Sequence, residues 1–97
     1  MIKAVRFGAD LKKQIRKRQL PEFILVKLQD WVEDVEDRGL EEVRKIPGYH
    51  DEPCHGDMMG MRSIRLGKGW RAYYRVGKEQ QVEFVAVERI DKHEYGK

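Results

Sequence analysis

The chain has 97 residues, 40% hydrophobic and 38% charged, which allows one modest core and a single domain over residues 1–97. One cysteine excludes an internal disulfide framework, and no apolar run approaches membrane-spanning length. The alternating N-terminus lacks the apolar region of a signal peptide, so a cytoplasmic protein with no membrane association is expected.

The net charge of +3 is unevenly placed. Residues 1–20 carry seven basic side chains against one acidic, residues 21–60 four against eleven, and residues 61–97 nine against five. Basic ends around an acidic middle suit a polyanionic partner for one face, with a mixed solvated surface as the competing reading.

Alternation from Ile2 to Phe7 predicts a strand, with Ile2, Ala4 and Arg6 on one side and Val5 and Phe7 on the other. Gly8 ends it, and Asp10 is a candidate N-cap for a helix from Leu11 to about Arg18. Leu11 and Ile15 give that helix an apolar edge. Lys12, Lys13, Arg16, Lys17 and Arg18 make the rest strongly basic, a candidate RNA-binding surface.

Pro21 suits the first turn of a second helix, whose apolar stripe Ile24, Leu28, Trp31 and Val35 recurs at steps of four, three and four. Gly39 stands where a C-cap glycine belongs, Leu40 to Lys45 allow one more helical turn, and the residues from Ile46 to Tyr49 force a turn. From Arg62 the period changes to two. Ile64 and Leu66 oppose Ser63 and Arg65, and the segment Gly67-Lys68-Gly69 makes a hairpin connection. Trp70, Ala72, Tyr74 and Val76 then oppose Arg71, Tyr73 and Arg75, and a last strand covers Val82 to Val87. The order β-α-α-β-β-β predicts an α+β fold in which an antiparallel sheet packs one face on a helical hairpin and leaves the other partly open.

Arg65 and Arg71 fall on the polar side of neighbouring strands. Guanidinium forks there match phosphate oxygens, whereas solvated arginines paired with Glu83 are the bland alternative. Metal-free RNA cleavage needs a base for the 2′-OH and an acid for the leaving 5′-oxygen. Glu52, His55 or His50 can supply the first and His93 the second, with Tyr95 holding or stacking on a nucleotide. His50, Cys54 and His55 are metal-ligand types, but no second pair stands at zinc-finger spacing, so neither metal nor cofactor is expected. Cys54 is expected as a small buried side chain.

Residues 52–66 (EPCHGDMMGMRSIRL), 69–74 (GWRAYY) and 85–89 (VAVER), followed by His93-Glu94-Tyr95, together resemble the RelE/ParE superfamily of type II toxins, in particular RelE/HigB/YoeB-like mRNA interferases. The resemblance covers nearly the whole chain and is strongest over residues 46–76. It implies a RelE-like microbial-RNase fold, metal-independent cleavage of mRNA in the ribosomal A site, a cognate antitoxin, and binding of operator DNA by the toxin–antitoxin pair. It also implies roles: Arg71 on the scissile phosphate, Glu52 as base, His93 as acid, Tyr95 as the terminal tyrosine, Arg65 as a supporting cation and Arg89 as a final-strand cation. Cys54-His55 replace the usual Leu-Lys, and Met58-Met59 carry none of the lysines of RelE-like sites, so a YoeB/HigB-like Glu/His scheme fits better. A ParE-like gyrase inhibitor and a non-catalytic nucleic-acid-binding module are the rival functions.

Overall fold

The computed structural model describes residues 1–90. Strand β1 (Val5–Phe7) leads into helix α1 (Ala9–Arg16), then α2 (Glu22–Arg38) and the short α3 (Leu40–Arg44). A 3-10 turn at Pro47–Tyr49 precedes the two-residue strand β2 (Glu52–Pro53). A second 3-10 turn, Gly56–Met58, leads to β3 (Arg62–Gly67), β4 (Trp70–Val76) and β5 (Val82–Arg89). The five strands form one sheet in the order β1-β5-β4-β3-β2.

The α+β class holds, with one change in the sheet. β2, β3, β4 and β5 pair antiparallel, but β1 lies parallel to β5, with Val5 opposite Val82 and Phe7 opposite Phe84. Hairpins dictate antiparallel neighbours. β1 and β5 are joined by no hairpin, since the whole helical layer separates them in sequence, so nothing local sets their direction.

The stripe on α2 behaves as its spacing requires. Ile24, Leu28, Trp31 and Val35 are buried against Ile64, Leu66, Ala72, Tyr74, Val82, Phe84 and Val87 of the sheet. The Trp31 ring sits 5.1 Å from that of Tyr74 and 5.0 Å from that of Phe84, centroid to centroid, within the range of favourable aromatic pairing. Gly39 ends α2 at φ 89°, and a β-carbon there would come within 2.7 Å of the Met1 side chain.

The first elements are shorter or shifted from their sequence pattern. β1 begins at Val5, with Arg6 outward on Glu83 and Phe7 inward. α1 starts at Ala9 with Gly8 as its N-cap, and Asp10 lies inside the first turn. The Gly8 amide donates to the Phe84 carbonyl at 2.7 Å, which brings the chain to the sheet edge and starts the helix early. α1 also stops sooner, at Arg16, and Arg18 takes a left-handed φ of 56°.

Past Phe7, β1 no longer covers β5. There the Gln14 side chain donates to the Val87 carbonyl (2.7 Å) and accepts from the Val87 amide (3.0 Å), so a side-chain amide completes the ladder. Among the described residues no helix is long and apolar enough to cross a membrane.

Candidate active site

The face of the sheet away from α2 is organised by strand register. β2 sets Glu52 opposite Ser63, and β3 sets Ser63 opposite Tyr73 and Arg65 opposite Arg71. Across the next ladder, Arg71 faces Glu88 and Tyr73 faces Ala86. Side chains in successive register positions share a face, so two adjoining rows result: Glu52, Ser63 and Tyr73 in one, Arg65, Arg71 and Glu88 in the other.

Arg71 is the hub. Its Nη1 donates to the Ser63 Oγ at 2.8 Å and its Nη2 to the Glu52 Oε1 at 3.0 Å. The arginine side chain is 14% exposed and Glu52 53%, so the cation is sunk into the sheet while the carboxylate stands at its rim. A guanidinium held by a hydroxyl on one side and a displaceable carboxylate on the other is preorganised for a phosphate, which can take the carboxylate's place. Tyr73 is buried beside them. Burial, then the carboxylate of Glu88, pushes its phenol above the usual range, so it stays protonated as a donor.

β2 has only two residues, and its placement rests on the other side of the sheet. The Asp51 carboxylate, fully buried, accepts from Arg62 Nε at 2.6 Å and from the Tyr74 hydroxyl. Arg44 Nε of α3 donates to the Tyr74 oxygen at 3.3 Å. Burial of Tyr74, reinforced by its bond to Asp51, raises that phenol far above its ordinary value.

Several expected site residues are thus brought together and others are not. Glu52 and Arg71 form an ion pair. Arg65 stands beside Arg71 in register and is exposed, and its residue also borders an open groove of about 1490 Å3 between α2 and the β3–β4 connection. Arg89 borders the same groove. His55 is exposed in the loop after β2, and His50 is exposed at a left-handed φ of 50°. His93 and Tyr95, the expected acid and nucleotide contact, lie outside the described residues. Lys12, Lys13, Arg16, Lys17 and Arg18 are all exposed on or just beyond α1. Cys54 is half-buried rather than buried, because the loop that carries it pairs with the sheet only through its amide, bonded to the Met61 carbonyl.

Ser63, Tyr73, Glu88 and Asp51 do not stand out as site residues from sequence. Ser63 is legible in part, since the alternation already places it beside Arg65. A serine 4% exposed on a polar sheet face needs a partner, and Arg71 is that partner.

The architecture, a helical layer over a five-stranded sheet, is shared with solved structures of RelE-, YafQ- and YoeB/ParE-type toxins. A RelBE toxin–antitoxin complex from Mycobacterium tuberculosis contains a chain superposing with a TM-score of 0.61 at 23% identity, over 89% of this chain and 95% of that one. YafQ from Escherichia coli gives 0.66 at 16% identity, covering 88% and 90%. A YoeB/ParE toxin from Agrobacterium tumefaciens gives 0.63 at 20%, covering 91% and 98%. No protein-family model matches the sequence, and no curated protein matches it.

Proposed function

We propose that the chain is the toxin of a toxin–antitoxin pair and cleaves mRNA on the ribosome. The observation that carries this reading is the Arg71 guanidinium, fixed by Ser63 and bridged to the exposed Glu52 on the sheet face away from α2. It supplies a cationic seat for a phosphate, with a carboxylate 3.0 Å from the guanidinium to act on the neighbouring sugar.

In the proposed reaction an mRNA phosphodiester takes Glu52's place on Arg71. The freed Glu52 carboxylate, or His55 in the adjoining loop, removes the proton from the 2′-OH. That oxygen attacks the 3′-phosphorus, the bond to the 5′-oxygen breaks, and a 2′,3′-cyclic phosphate and a 5′-hydroxyl result. Arg71 stabilises the charge that builds on the phosphoryl oxygens. The proton for the leaving oxygen comes from His93, the role its resemblance implies. The exposed cations of α1 are assigned to ribosomal RNA, where phosphate contacts hold the enzyme in register.

The partner proposed for neutralisation is an antitoxin, as in the RelBE and DinJ–YafQ complexes whose chains share this fold. Operator DNA is the further partner of that pair. Primer extension on mRNA after induced expression tests the reading. New in-frame mRNA ends that vanish in Arg71→Ala are the expected result. Toxicity with DNA damage and intact mRNA would instead assign gyrase inhibition, and salt-sensitive binding with no cleavage would assign a binding module.

A further inference from the structure

We infer that Asp51 is a positioning residue: it clamps β2 from the helix side so that its chain neighbour Glu52 is presented to Arg71 on the opposite face. β2 pairs with β3 at two register positions, Glu52 with Ser63 and Pro53 with Arg62, extended by one backbone bond from the Cys54 amide to the Met61 carbonyl. So short a pairing fixes register weakly, and a slip of one residue would turn Glu52 inward and Asp51 outward. Asp51 blocks that slip because both of its oxygens are taken, Oδ1 by Arg62 and Oδ2 by Tyr74, with Arg44 bonded to the Tyr74 oxygen in turn.

The anchors and the site are interleaved in sequence. Arg62 precedes Ser63, Tyr74 follows Tyr73, and Asp51 precedes Glu52. Arg62 and Tyr74 are themselves register partners, just as Ser63 and Tyr73 are. Each member of the buried network therefore sits back to back with a member of the open face, and a displacement of one is a displacement of the other. A buried carboxylate tied to an arginine is a poor device for stability alone, since apolar replacements often serve as well. What it provides is a fixed direction, and here the fixed direction belongs to Glu52.

The effect on rate rests on the nuclease reading, but the geometry does not, so the test has two arms. Asp51→Asn keeps the shape and removes the charge. Tyr74→Phe removes one hydroxyl and leaves the ring, so it serves if Asp51→Asn fails to fold. Val35→Ala, in the core away from the site, controls for stability loss. Single-turnover cleavage on mRNA-programmed ribosomes is expected to slow roughly 10- to 100-fold in both site variants, the scale of a small misplacement, with the half-saturating toxin concentration unchanged. Val35→Ala should cut at the wild-type rate per folded molecule. In the second arm, nuclear magnetic resonance of the isotope-labelled Arg71 guanidinium should show restricted rotation in the wild type and free rotation in both site variants.

Wild-type cleavage and a wild-type Arg71 signal in Tyr74→Phe or a folded Asp51→Asn overturn the inference. Rates that fall equally in Val35→Ala overturn it too, because stability alone then explains them. If the wild type does not cut RNA, the nuclease reading fails, and the Arg71 signal by itself decides whether Asp51 positions the pair.

Discussion

Replacing Arg71 with alanine separates chemistry from folding. The substitution deletes the charged bond to Ser63, worth about 1.5–3 kcal/mol, and leaves that buried hydroxyl without its partner. It also deletes the Glu52 pair, whose carboxylate is half exposed and screened, so the pair contributes no more than about 1 kcal/mol. A loss of roughly 2–4 kcal/mol from a domain stability of about 5–15 kcal/mol leaves most molecules folded. The reaction should suffer far more. Removing one preorganised donor to a developing oxyanion costs about 10²–10³ in rate, or about 2.7–4 kcal/mol of barrier. Single-turnover cleavage on programmed ribosomes, paired with urea unfolding of the same preparation, reads both quantities. Arg71→Lys should recover only part of the rate, because a point charge replaces the fork that spans Ser63 and the phosphate. An Arg71→Ala protein that is stable and cuts within a few-fold of the wild type would refute the placement of the phosphate on this residue.

Reversing the charge of Lys12 and Lys13 together should weaken ribosome binding and flatten its salt dependence, by about one unit of slope for each phosphate no longer neutralised, without moving the unfolding midpoint; salt titrations check this. Trp31→Ala should cost about 3–5 kcal/mol in urea unfolding, since the buried ring packs on Tyr74 and Phe84. Tyr74 has a folded-state pKa raised above its ordinary value of 10.0, so its contribution is complete below about pH 10 and is lost as the pH climbs toward the raised value. Stability should be insensitive to this group from pH 7 to 9 and then fall by up to about 1.4 kcal/mol per pH unit from Tyr74 alone. Alkaline melts of the wild type against Tyr74→Phe read the difference, and identical slopes would contradict it.

The parts of the fold that the sequence announces are those set by local periodicity. Ile24, Leu28, Trp31 and Val35 declare one helical face, and Ser63, Arg65 and Arg71 declare the polar face of a hairpin, because strand parity is fixed by residue count. What stays hidden depends on contacts between distant segments. β2 exists only because Glu52 and Pro53 meet Ser63 and Arg62. The direction of β1 depends on β5, more than seventy residues on in the chain. Parity itself breaks in β5, where Tyr73 pairs with Ala86 and Tyr74 with Phe84, so Val85 is an extra residue and Val87 turns inward beside Phe84. Within the run Val85, Ala86 and Val87, all apolar, no alternation survives to reveal that shift. The site follows the same rule: Arg71 and Glu52 are visible as residue types, but Asp51's role lies in a buried triangle that spans α3, β3 and β4.

The amide of Gln14 has a consequence for how α1 can behave. A peptide-like donor and acceptor on a helix side chain pair the N–H and C=O of Val87, past the point where β1 leaves β5. Were α1 to swing away, Val87 would offer an unsatisfied N–H and C=O to any extended chain nearby. The positive charges of α1 are thus tied to the sheet through the Gln14–Val87 pair.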